Sequence, residues 1–194
     1  MAVGYSLNIP ENWNRINLTQ ANMSETAEEM ADNMIAVVPE LESRKLLLKK
    51  DITDQLNDAL ESGTNLVASY VTPTSDGSLS MFLMGQTLPL LMPEEGESIF
   101  DTFYEMYTTA DETRPQGVDV QIAHLPHAGK VFQTYGIELL QDTPVVVLRT
   151  LVPLDKCVLS VFIYSPNVDI KDALAQLFEA ITRTLEIDDY KGNE

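Results

Sequence analysis

Apolar and polar residues recur along this chain in two rhythms. Met23, Ala27, Met30, Met34 and Val38, joined by Ala31 and Ile35, repeat every three or four positions, the spacing of a helix with one apolar face. Ser24 stands at its start as an N-cap and Pro39 closes it. A second helix is expected over residues 39–62, stopping at Gly63, with Leu41, Leu48, Ile52, Leu56 and Ala59 on one face. Lys45 and Lys49 lie beside that stripe, where they are expected to snorkel at the core edge. A third helix is expected over 97–110, with Ile99, Phe100, Phe103, Met106, Tyr107 and Ala110 inward and Glu97, Asp101 and Glu105 outward. A closing helix follows Asn167, capped by Asp169, with the stripe Ile170, Leu174, Leu177, Phe178, Ile181 and Leu185.

The other rhythm is that of strands. Short strands are expected at 6–9 and 15–18, then at 65–72 and 78–92 around the turn Pro73-Thr74-Ser75-Asp76-Gly77. The second half reads as a meander with strands at 118–124, 131–139, 143–152 and 157–164. Val145-Val146-Val147-Leu148 and residues 158–163 are apolar at consecutive positions, so both faces of their sheet are expected to be covered. Hairpin-length connections make the late strands antiparallel. The expected fold is α+β: a mostly antiparallel sheet of six or seven strands with helices on both faces. One domain is expected over 1–187, followed by a flexible tail at 188–194. At this length a chain buries roughly 70% of its unfolded surface without staples.

Charge changes the picture of partners. The net charge is −18, and between Lys50 and Arg114 no Lys or Arg occurs while twelve acids do. Such a surface repels phosphate polymers and anionic membranes, so neither nucleic acid nor membrane is an expected partner. No stretch approaches the ~20 apolar residues of a membrane span. With no basic and apolar leader at the start and a single cysteine, Cys157, the expected location is cytoplasmic. The charge serves solubility, and Glu94, Glu95, Glu97, Asp101 and Glu105 are the candidate docking face for a basic partner.

Leu46 and Leu47 fall off the stripe of their own helix, beside Arg44, Lys45, Lys49 and Lys50. Either they meet a second copy in a two-fold interface, or Pro39 shifts the helix phase and brings them to the core.

Candidate chemistry is sparse. His124 and His127 flank Leu125-Pro126 at a strand end, but no third ligand accompanies them. Cys157 opens an apolar strand and has only Lys156 beside it, without the base a nucleophile needs. Asp51, Asp54 and Asp58 share a helix face, which reads as solvated rather than as a cation loop. No glycine-rich phosphate loop, nucleophile elbow or zinc-protease motif occurs. No catalytic, cofactor or metal residue is assigned, and no cofactor is expected.

The opening Leu7-Asn8-Ile9-Pro10-Glu11-Asn12-Trp13, followed by a helical segment, a strand pair, a helix, a meander and a C-terminal helix, resembles the Mog1/PsbP-like α/β/α sandwich group. That group includes a nuclear-import factor that binds a small GTPase, an extrinsic photosystem II subunit and bacterial lipoproteins. The lipoproteins' lipobox cysteine and signal are missing here, as is a chloroplast transit segment. What the resemblance implies is the sandwich fold and non-enzymatic binding, without a specific partner.

The expected function is therefore that of a non-enzymatic cytoplasmic adaptor or secretion-related chaperone, with an acidic face and self-association into a homodimer. The alternative is a small apolar ligand bound between the sheet and the Met-rich first helix. An enzyme of unrecognised type is the third reading.

Overall fold

A computed structural model describes residues 4–188, apart from 38, 76, 91, 92, 94, 95, 113–117 and 141. The fold is α+β, an open antiparallel sheet of seven strands with four helices. In chain order the elements are β1 (Tyr5–Ser6), β2 (Asn14–Asn17), α1 (Met23–Val37), a 3-10 segment (Pro39–Arg44), α2 (Lys45–Glu61), β3 (Thr64–Thr74), β4 (Gly77–Pro89) and α3 (Ile99–Thr108). There follow β5 (Asp119–Leu125), β6 (Gly129–Leu140), β7 (Thr143–Pro153), β8 (Cys157–Ser165), a 3-10 turn (Val168–Ile170), α4 (Lys171–Thr182) and β9 (Glu186–Ile187).

The strand order, β2-β3-β4-β8-β7-β6-β5, explains why the late strands are apolar on both faces. After the β3–β4 hairpin the chain does not continue beside β4. It forms α3, starts again at the far edge with β5, and walks back until β8 pairs with β4, Leu83 facing Ile163. The strands that end up central are β7 and β8, and Val146, Val152, Leu159, Val161 and Ile163 are completely buried in them.

Cross-strand partners share a face. Leu83, Ile163, Leu148 and Tyr135 form one row across β4, β8, β7 and β6. This face carries the largest core, closed by Leu174, Phe178, Ile181 and Leu185 of α4 and the turn after it, and by Leu7 and Trp13. The opposite row runs Met84, Phe162, Arg149, Thr134, Val120. There α3 lays Phe103 and Tyr107 on Phe132, Leu151 and Val158. Helices thus lie on both faces.

The four helices do not share the sheet equally. Met23, Ala27 and Ala31 of α1 pack on Ile52 and Leu56 of α2, with Leu18, as a separate core. Phe82, Met84, Phe162 and Tyr164 remain only half-buried on the α3 face. Phe82 and Tyr164 cover each other there by stacking at 5.0 Å.

Several local expectations are corrected. Of residues 6–9 only Ser6 pairs, as part of β1, and its partner is β9 at the other end of the chain: Tyr5 faces Ile187. The expected tail begins bound, since the Asp188 N–H donates to the Gly4 carbonyl at 2.9 Å; residues 189–194 lie outside the described residues. The cap of α1 is Asn22, whose carbonyl accepts from the Thr26 N–H at 2.9 Å, rather than Ser24. The expected helix over 39–62 is a 3-10 segment followed by α2, and the half-buried Lys45 and Lys49 pair with Asp32 and Glu28 of α1 at 2.5 and 2.7 Å. Asp169 is no cap: it lies inside the 3-10 turn, while Asn167 before it accepts from Ser80 N–H at 2.9 Å and donates to the Ser78 carbonyl at 3.0 Å. Met106 is exposed within α3 instead of inward, and Ala110 is exposed because α3 ends before it, at Thr108. Leu177 is half-buried, at the margin of the α4 stripe.

Two glycines hold the joints. Gly63 has φ +90, the left-handed geometry that ends a helix, and a side chain there would strike the Thr87 carbonyl. Gly85 leaves the space that the Tyr5 phenol occupies, from which the hydroxyl donates to Asn65 Oδ1 at 2.6 Å. Burial pushes that phenol's pKa well up, so it stays a donor.

Candidate functional site

The outer face of α3 is built by its own first turn. Ser98 accepts a hydrogen bond from the Asp101 N–H, and the Asp101 carboxylate accepts from the Ser98 N–H at 3.0 Å and hydroxyl at 2.8 Å. This reciprocal cap holds the Asp101 carboxyl below its ordinary range, chiefly through the backbone bond, with Lys130 adding a smaller share. Glu97, Asp101 and Glu105 are all exposed. Glu94 and Glu95 lie outside the described residues. Among these acids stand Tyr104, 56% exposed, and Met106, 38% exposed. Neither residue stood out as a surface candidate from the sequence, because helical spacing assigned Met106 to the core and left Tyr104 unremarked.

The basic cluster on α2 divides in two. Lys45 and Lys49 turn toward α1, and each ion pair moves a partner's pKa in the expected sense: the Asp32 hydrogen bond raises Lys45 and the Lys49 hydrogen bond lowers Glu28. Arg44 and Lys50 stay at the surface with Leu46, 86% exposed, and Leu47, 63% exposed. Pro39 therefore does not bring the leucines to the core. Asp51, Asp54 and Asp58 line exposed positions of the same helix.

The candidates for chemistry stay apart. His124 is exposed on β5 and His127 in the turn after it. Among the described residues no group of three His, Cys, Asp or Glu is placed to hold a metal. Cys157 is half-buried at the start of β8, and burial raises its thiol pKa, the opposite of nucleophile activation.

A cleft of about 610 Å³ opens between α4 and strands β5 to β7. Its base is apolar, formed by Ala123, Leu148, Ala175 and Phe178. Above them a chain of amides crosses the strands: Gln121 donates to Gln133 at 3.0 Å, and Gln133 donates to Thr150 at 3.1 Å. The cleft is thus lined by the last helix, whereas a pocket against the first was expected; the Met-bearing α1 packs on α2. The signal in the sequence was faint: Gln121 is a polar interruption between Val120 and Ile122, and Gln133 follows Phe132.

No helix among the described residues is long and apolar enough to cross a membrane. No protein-family model matches the chain, and no curated protein matches it either.

Proposed function

We propose that this protein is a non-enzymatic interaction module, a cytoplasmic adaptor or secretion-related chaperone, that takes a basic partner on the outer face of α3. The observation that carries the reading is the exposure of Tyr104 and Met106 beside Asp101 and Glu105 on α3. Carboxylates alone serve solubility, but Tyr and Met are enriched in interface centres relative to ordinary surface. The acids around them, within a net charge of −18, give the encounter its steering. The non-enzymatic leaning implied by the Mog1/PsbP-like resemblance supports the same reading.

The test places a photo-crosslinking amino acid at position 104 and identifies captured proteins by mass spectrometry. A captured partner should be basic, and its association should slow steeply as the Debye length falls from ~10 Å at 0.1 M salt to ~3 Å at 1 M. Asp101→Lys with Glu105→Lys should slow association more than it speeds dissociation. Salt-insensitive binding, or capture unaffected by the charge reversal, would leave the acids as a solubility device.

A second reading, self-association through α2, is supported by the exposure of Leu46 and Leu47 beside Arg44 and Lys50. This basic, apolar patch complements the acids that dominate the rest of the chain. Two such leucines per chain contribute about 3–6 kcal/mol before association entropy, so a stable homodimer needs further contacts.

A further inference from the structure

The two edges of the sheet are treated differently. At one end β2 is four residues long, Asn14–Asn17, and carries Arg15. Short length and a basic side chain are the usual means of keeping an edge from pairing with another chain. At the other end β5 runs seven residues, Asp119–Leu125, in unbroken register with β6 from Asp119↔Tyr135 to Leu125↔Gly129. It contains no Lys, Arg or Pro and no bulge. Among the described residues it has no strand on its outer side. Alternate residues of such a strand turn their N–H and C=O outward.

The helix that covers this half of the sheet stands off from the edge, and the 610 Å³ cleft lies between them, bordered by β5 on one side and by Ala175 and Phe178 of α4 on the other. An edge strand that no described strand covers, beside an apolar slot, is the arrangement that extended peptides use: main-chain bonds supply affinity and alternate side chains enter the slot. Asp119 and Glu179 add carboxylates at the cleft, where Arg183 is already engaged by Glu179 at 2.7 Å. A second copy of this chain is the wrong occupant. It would bring another Asp119 to that cleft.

We propose that β5 and α4 form a strand-addition groove for an extended segment of a partner protein. The segment pairs with β5 as an eighth strand, sets an apolar side chain on Ala123, Leu148 and Phe178, and carries Lys or Arg two residues to either side of it, on the same face of the strand as Asp119 and Glu179. This site is separate from the α3 face, and neither depends on the other.

The test uses the full chain and a fluorescent peptide, acetyl-Thr-Lys-Thr-Val-Thr-Lys-Thr-amide, whose Lys and Val side chains share one face of a strand, with two N-methylated versions, one methylated at every Thr nitrogen and one at the Lys and Val nitrogens. In a paired strand all nitrogens of one series face β5 and all of the other face solvent. The expected result is that one version binds ~tenfold more weakly or worse, while the other stays within ~twofold of the parent. Amides within 119–125 should gain hydrogen-exchange protection with the parent peptide. Ala175→Trp, which fills the slot from the helix, should weaken binding by ~tenfold at unchanged melting temperature. Should Ala175→Trp unfold, the methylated pair still decides. Equal binding of both methylated versions, equal binding of the counterpart with Glu in place of each Lys, dimer formation through β5 in light scattering, or no saturable binding of the parent peptide would each overturn the proposal.

Discussion

Arg149 on β7 grips Glu138 on β6 with both guanidinium nitrogens, the Nη2–H donating to Oε2 at 2.8 Å. The two residues are not cross-strand partners; Arg149 faces Thr134 and Glu138 faces Val145, so the side chain runs diagonally along the sheet. Their side chains are only 18% and 13% exposed. The guanidinium also lies 5.5 Å from the Tyr107 ring centre and 5.6 Å from that of Phe162, linking α3 to the half-buried aromatic row. Burial opposes the Arg149 charge, but the Glu138 hydrogen bond and charge outweigh it and its pKa is raised. Glu138→Ala should cost ~3 kcal/mol by leaving a desolvated cation, whereas Arg149→Met with Glu138→Leu should recover most of that loss. Urea denaturation midpoints of the wild type and the two variants check this; a double variant no better than the single one would mean that the pair stabilises beyond its desolvation cost.

On α4, burial separates two neighbours that periodicity treated alike. Phe178 is 3% exposed in the main core and Leu177 is half-buried at its margin. Phe178→Ala should cost ~3–5 kcal/mol, and Leu177→Ala clearly less than the ~2 kcal/mol where full Leu truncations begin. Thermal and urea unfolding of both variants measure the difference, and equal losses would place Leu177 inside the core.

The capping box of α3 predicts a pH signature. The folded Asp101 pKa is lowered, so its contribution is present above the unfolded value of about 4 and is lost as pH falls through the lower folded value. Asp101→Asn should therefore be less stable than the wild type near neutral pH, with the gap closing below about pH 4. Melting temperatures of both proteins between acid and neutral pH follow the effect. A gap that stays constant across that range would assign the loss to the hydrogen-bond geometry and not to the charge.

Leu46 and Leu47 are expected to be silent for folding. With both exposed, Leu46→Glu with Leu47→Glu should change unfolding free energy by no more than ~0.5 kcal/mol per site. The same variant should abolish self-association in light scattering at tens of micromolar. A wild type that is monomeric under those conditions would remove α2 as a homodimer surface.

Much of this protein follows from local rules that the chain carries on its face. The α4 stripe, the α3 face of Phe103 and Tyr107 and the four strands of the meander each follow from side-chain periodicity within a few residues. The doubly apolar β7 and β8 announced that both faces of their sheet are covered, and the structure puts α4 on one and α3 on the other. The acidity and the absence of a catalytic motif were equally plain. What periodicity cannot encode is which surfaces meet. Lys45 and Lys49 read as edge lysines until α1 brings Asp32 and Glu28 within 2.7 Å. Tyr5 and Ile187 pair across nearly the whole chain, and no local pattern in a two-residue strand can reveal its partner. The exposed Tyr104, the Arg149–Glu138 diagonal and the cleft beside β5 belong to the same class. The cleft depends on the strand order that returns β8 to β4 and leaves β5 at the edge, and that order is set by how the separate apolar faces are buried together.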